Sequence, residues 1–140
     1  IYLVVCMILL GKSEKKNISK GGYRFVYAQH LTSTLHQINE MPQITLSEII
    51  FKYTAINKAH PFMEGNGRST RIWLDLMLKK QLQKCVDWSK ISKENYMNAM
   101  IISTIDSSVL EQLVKTALTN KINDREMFMK GIDYSYYYEE

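Results

Sequence analysis

Apolar residues recur at helical spacing over most of this chain. Leu46, Ile49, Ile50, Tyr53 and Ile56 fall at steps of three and four, which lays one apolar stripe along a helix. Thr45 or Ser47 supplies an N-cap, and Pro61 disfavours helical geometry at His60, so this helix is predicted to close near Ala59. After Gly67 a longer helix is expected to run to about Gln83. Ile72, Trp73, Leu74, Leu76, Met77 and Leu78 leave its middle almost without a polar face, the pattern of a central helix buried all round. A short helix is predicted over Thr32 to Met41, stopped by Pro42. Ser92 caps another to about Ile102. Asp106 or Ser107 starts the next, which carries Val109, Leu110, Leu113, Val114 and Leu118. Asn123 and Asp124 open a last helix through Met127, Phe128 and Ile132 into Tyr134 to Glu140.

A hairpin is signalled once, between Asn17 and Phe25, where Gly21 and Gly22 lie between β-prone flanks. Six helices and one hairpin make the expected fold all-α in class.

Composition narrows this picture without changing it. A chain of 140 residues is one domain with one core. Its apolar share of 46% and charged share of 23% are those of a soluble globular protein. The net charge of +4 comes with scattered lysines, which argues against a nucleic-acid surface. Cys6 and Cys85 have no metal-binding spacing, which fits a reducing, cytoplasmic setting and no structural zinc. Ile1 to Leu10 are almost wholly apolar, yet a bilayer span takes about twenty residues. No basic stretch precedes them and no small-residue cleavage site follows, so neither a membrane span nor a signal peptide is expected. The first residue is not Met, and the chain is read as beginning mid-domain.

The candidate chemistry is concentrated in His60-Pro61-Phe62-Met63-Glu64-Gly65-Asn66-Gly67-Arg68-Ser69-Thr70-Arg71. His60 titrates near neutrality, at about 6.5 when unperturbed, and suits a general base. Phe62 is expected to point into the core and anchor the loop. Glu64 is a hard oxygen donor of the kind that holds Mg²⁺ beside phosphates. Gly65, Asn66 and Gly67 let backbone amides approach an anion, with Asn66 tolerating a left-handed backbone and adding a side-chain donor. Arg68 and Arg71 share one helix face. Two cations at a helix N-terminus oppose its dipole by roughly 0.3–1 kcal/mol each, a cost that makes sense if an anion sits there. Any one of these residues has an ordinary structural explanation; their order within one loop and one helical turn does not.

The run resembles the signature of the Fic family (filamentation induced by cAMP), His-x-Phe-x-Asp/Glu-Gly-Asn-Gly-Arg-x-x-Arg, which it matches from His60 to Arg71. The resemblance covers nearly all of Asn17 to Glu140 and implies a Fic-type helical bundle of about six helices with a small β-hairpin flap. It also implies transfer of AMP from ATP to a Tyr, Ser or Thr hydroxyl of a target protein. In that case His60 deprotonates the hydroxyl and Glu64 holds Mg²⁺ between the α- and β-phosphates. Gly65, Asn66 and Gly67 cradle those phosphates, Arg68 grips the β-phosphate and Arg71 the γ-phosphate. The flap, at Lys20, Gly21, Gly22 and Tyr23, docks the target by strand addition. Family members that restrain themselves carry Ser/Thr-x-x-x-Glu-Gly/Asn, and Ser135 to Glu140 match it through Glu139, with Glu140 departing at the last place. The end of the chain, about 124–140, is therefore read as an inhibitory helix in which Glu139 competes for Arg71. Tyr134 and Tyr136 to Tyr138 are candidates for self-modification, and a self-associating homo-oligomer is compatible with this layout.

Residues 1–16 depart from the family. Relatives carry something close to Gly-Gly-Leu-Tyr-Asp-Phe-Ala-Gly before the flap. A codon run for that stretch, read one base on, yields Val-Val-Cys-Met-Ile-Leu-Leu, which is Val4 to Leu10. The segment is read as frame-shifted, with the family frame restored before Asn17. Two alternatives stand beside AMP transfer. One is transfer of another phosphate-containing group; Gly67 argues against the phosphate-transferring branch of the family, where Lys stands at this position. The other is a non-catalytic interaction module in cell division or stress control.

Overall fold

In a computed structural model of the chain, the described residues are 19–20, 23–24, 28–62 and 65–139. Two short strands, β1 (Ser19–Lys20) and β2 (Tyr23–Arg24), pair antiparallel with Ser19 opposite Arg24 and Lys20 opposite Tyr23. This is the expected hairpin; its Gly21 and Gly22 lie outside the described residues, as does the segment read as frame-shifted.

Helix α1 (Ala28–Glu40) starts a turn earlier than the predicted Thr32. Leu31, Leu35 and Ile38 are its buried stripe, and the expectation missed the first of them. Helix α2 (Leu46–Ala59) begins with a capping box: the Thr45 hydroxyl accepts from the Glu48 N–H, and Glu48 accepts from the Thr45 N–H. Lys52 of α2 is buried and donates to the carbonyls of Asn39 and Met41, both at 3.0 Å, and to Gln43 at 2.9 Å. Its burial lowers the pKa, against the pull of Glu40. The cation thereby satisfies carbonyls at the end of α1 and fixes the angle between α1 and α2.

Helix α3 (Asn66–Leu82) packs along α2, and Trp73, Leu74, Met77 and Leu78 form its buried face. Next come β3 (Cys85–Val86), a 3₁₀ turn (Trp88–Lys90), α4 (Lys93–Ile102, capped by Ser92) and α5 (Ser108–Ala117). Strand β4 (Leu118–Thr119) returns to pair antiparallel with β3, and α6 (Arg125–Tyr137) closes the chain behind an Asp124 cap. Among the described residues no helix is long and apolar enough to cross a membrane.

Two expectations are corrected. Helix α3 is not buried all round: Ile72 and Leu76 are 58% and 52% exposed. They lie one turn apart on the side away from the core, and with Phe128 and Ile132 of α6 they line a cleft of about 650 Å³. Leu118, expected in the helix now labelled α5, instead belongs to β4. The β3–β4 pairing was not foreseen; strands this short leave no alternation to read. Asp75 of α3 holds the region together, accepting from the Val86 N–H at 2.8 Å and from Trp88 Nε1 at 3.0 Å.

Candidate functional site

Helices α2 and α3 are joined by a loop that carries the candidate base and ends at a helix start. His60 is the C-cap of α2, with a left-handed backbone (φ 48°) and its N–H bonded to the Ile56 carbonyl at 3.1 Å. Pro61 follows and is buried, which turns the chain out of α2. Phe62 is half-buried rather than sunk in the core. Its backbone is the anchor instead. The Phe62 N–H donates to Asn66 Oδ1 at 2.9 Å, and Asn66 Nδ2 donates back to the Phe62 carbonyl. An amide side chain presents one acceptor and one donor side by side, which is what a single backbone residue needs.

Asn66 therefore does not play the part expected of its side chain. It is buried, and its oxygen and one Nδ2 hydrogen are committed to the Phe62 backbone. The left-handed residue is Gly65 (φ 77°), the N-cap, and Asn66 is already helical. Gly65 caps α3 without a side chain, so the first N–H groups of the helix point along its axis with no intrahelical acceptor.

Glu139 occupies this helix start. Arg71 and Glu139 form an ion pair at 2.7 Å. A Cβ added at Gly67 would collide with the Glu139 carboxylate and come within 3.0 Å of Arg71 Nη1. Gly67 is thus the close-approach residue, and the carboxylate rests against its Cα at the positive end of α3. Ser135, one turn before Glu139, accepts from Arg71 Nε at 3.3 Å and Nη2 at 3.2 Å through its hydroxyl, and from Nη2 at 2.9 Å through its carbonyl.

Arg71 is 3% exposed. Its guanidinium also donates to the Tyr96 hydroxyl at 3.2 Å and lies over the rings of Tyr96 and Tyr138, 5.4 and 5.3 Å from their centroids. Burial works against the charge, but Tyr96, Tyr53 and Glu139 outweigh it, and the pKa stands above the ordinary value. Arg68 is placed differently. It stacks over Tyr136 at 5.1 Å, and its buried Nε meets no hydrogen-bond acceptor among the described residues. Both arginines face α6, as their spacing required.

The sequence reading passed over the aromatic wall of this site. Tyr138 is 4% exposed, stacks on Tyr96 at 4.6 Å and donates from its hydroxyl toward the Ile91 and Trp88 carbonyls, 2.6 and 2.9 Å away. Burial raises its pKa. No motif marks Tyr96; it falls in α4, remote in sequence, and only the tertiary fold brings its hydroxyl to Arg71. Glu64, the expected Mg²⁺ carboxylate, lies outside the described residues.

The arrangement is a helix start with two arginines, a loop carrying His60 before it and the Glu139 carboxylate against it. The chain is 34% identical over 77 residues to a protein adenylyltransferase of Bartonella henselae, covering 52% of this chain and 14% of that protein. To protein adenylyltransferase VbhT of Bartonella schoenbuchensis it is 26% identical over 138 residues, covering 88% of this chain and 28% of that protein. It thus spans well under a third of either relative's length. The crystal structure of BepC, a VirB-translocated effector of Bartonella tribocorum with bound AMPPNP, superposes with a TM-score of 0.63 at 22% identity, over 74% of this chain and 56% of that one. That likeness establishes the fold. The Fic/DOC family profile matches residues 4–78, from inside the segment read as frame-shifted through the motif and most of α3. With more than half of its length matched, this chain belongs to the Fic/DOC family.

Proposed function

We propose that the protein is an adenylyltransferase that moves AMP from ATP to a hydroxyl side chain of a target protein and is restrained by its own C-terminus. One observation carries the reading: the Glu139 carboxylate is held by Arg71 against Gly67, at the start of α3. A carboxylate bound there marks a site built for anions, and a triphosphate is the anion that two arginines and a helix N-terminus fit. The relatives named adenylyltransferases support the choice of group.

In this reading His60 takes the proton from the target Tyr, Ser or Thr hydroxyl, which attacks the α-phosphorus in line, and pyrophosphate leaves. The backbone of Gly65, Asn66 and Gly67 cradles the α- and β-phosphates. Arg68 neutralises the β-phosphate with the Nε that has no acceptor among the described residues, and Arg71 the γ-phosphate. A single carboxylate beside a triphosphate suits Mg²⁺, which takes one or two carboxylates plus phosphate oxygens; Glu64 would hold it, and bound there it would neutralise charge developing on the phosphates. The protein's share is positioning and charge neutralisation. Residues 17–140 act as the Fic domain, with 124–140 as its inhibitory end. The β1–β2 hairpin offers an edge for the target backbone.

Incubation of the Glu139→Gly protein with Mg²⁺ and ATP labelled on its α-phosphate tests the proposal, with mass spectrometry locating the product. Label on protein hydroxyls is expected, with Tyr134, Tyr136 and Tyr137 the candidates within the chain; Tyr138, buried and bonded to the Trp88 and Ile91 carbonyls, drops out of that set. His60→Ala should lose the label and keep ATP binding. Transfer from a γ-labelled ATP instead would mark a phosphate transferase. Absence of any transfer would mark a binding module.

A further inference from the structure

We infer that Tyr96 is the positioning residue for Arg71, holding one guanidinium nitrogen so that another can change anions; the inference rests on the transferase reading above. The contacts of Arg71 fall into two groups. Ser135, Tyr138 and Glu139 come from α6 and the turn after it, the element that brings the competing carboxylate. From the body of the bundle, among the described residues, comes Tyr96.

The two groups use different atoms. Nη1 donates to the Tyr96 hydroxyl, while Nη2 serves the Ser135 carbonyl and Glu139. When Glu139 gives way to a phosphate, Nη2 exchanges that one partner and keeps Ser135, while Nη1 stays on Tyr96 throughout. Tyr96 is itself fixed. It is 4% exposed, its hydroxyl lies 2.7 Å from that of Tyr53, and Tyr53 is wholly buried in α2. Trp88 meets the Tyr96 ring edge-on at 5.9 Å. A tyrosine held at hydroxyl and ring presents its oxygen in one place. The planar fork of Arg71 is thereby aimed before any anion arrives, and less rotamer freedom is lost on binding.

Calorimetry on the Glu139→Gly protein with ATP and with ADP, both with Mg²⁺, tests this. Loss of one hydrogen bond to a charged group weakens binding by about tenfold. Tyr96→Phe keeps the ring and is expected to weaken ATP by that factor while leaving ADP, which has no γ-phosphate, within about twofold. Added to Arg71→Ala, it should cost nothing more. Equal losses for ATP and ADP, or no loss, overturn the inference. If Arg71→Ala itself fails to separate ATP from ADP, the γ-phosphate assignment falls and the inference with it, and the Arg71 variant alone reveals this. Tyr53→Phe is a second route should Tyr96→Phe not fold: it leaves the Tyr96 hydroxyl untethered and should give a smaller loss that is again confined to ATP. A loss shared with ADP would overturn the inference here too.

Discussion

Arg71 and Glu139 are 68 residues apart in sequence and meet at 2.7 Å, the arginine sealed at 4% side-chain exposure and the glutamate open at 35%. The pair is lopsided: the cation is buried and the anion is partly in water. A hydrogen bond to a charged group contributes roughly 1.5–3 kcal/mol, which corresponds to about ten- to hundredfold in binding. Glu139→Gly is therefore expected to raise AMP transfer at least about tenfold. Incorporation from labelled ATP reads this directly, and an unchanged rate rejects the competition.

Gly67 should be intolerant of any side chain. Alanine there would push on the Glu139 carboxylate, which can shift because it ends a flexible chain, so the Arg71–Glu139 pair should loosen. The same methyl group would stand where a phosphate must come. Gly67→Ala placed in the Glu139→Gly protein should thus weaken ATP binding by about tenfold or more, not strengthen it. Titration calorimetry comparing the two proteins decides the point; equal affinities would show that nothing approaches that Cα.

Asn66→Ala should detach the loop. Both hydrogen bonds to Phe62 are lost and two backbone groups are left without their partner, a cost of about 1–3 kcal/mol. Thermal melts should show the loss as a lower Tm. Transfer activity in the Glu139→Gly background should fall with it, because His60 sits two residues before Phe62. A variant as stable and as active as its parent would assign the clamp no importance.

Asp75 gives the fold a pH dependence of unusual sign for a carboxylate. Burial raises its pKa above 3.8, although the bonds from Val86 and Trp88 and the charge of Lys79 pull it down. The folded protein therefore holds this proton more tightly than the unfolded chain. The contribution is fully present below 3.8 and is lost as pH rises through the higher folded value. Asp75→Asn should flatten this part of the stability curve. Melting temperatures across the acid range, wild type against variant, check it; parallel curves count against a buried, titrating Asp75.

Much of this was legible in the chain. The N-cap offered by Thr45, the caps at Ser92 and Asp124 and the break at Pro61 are local signals, and each helix they mark is present. The motif from His60 to Arg71 and the spacing from Ser135 to Glu139 named the two halves of one contact before the fold joined them. Other features depend on three dimensions. The turn from Ala28 to Leu31 lacked a cap to announce it. Leu76 and Ile72 look like core residues in any window, and only the placement of α2 decides which side of α3 is dry. Tyr53, Tyr96 and Tyr138 come from three separate elements, and nothing in any one of them predicts the cluster. Asn66 was misjudged because its amide was imagined facing a ligand, whereas the backbone four residues earlier was the nearer partner.

The placement of Tyr138 beside Glu139 has a consequence for how fast the restraint can respond. The tyrosine is clamped by two carbonyls and four aromatic neighbours, while the adjoining carboxylate is partly in water. Swapping one anion for another at Arg71 thus needs a rotation of the glutamate side chain and no unravelling of the final turn. Rotations of exposed side chains run in picoseconds to nanoseconds, whereas local unfolding takes microseconds or longer. In the proposed restraint, exchange of anions at Arg71 is therefore a side-chain event that does not wait on the opening of α6.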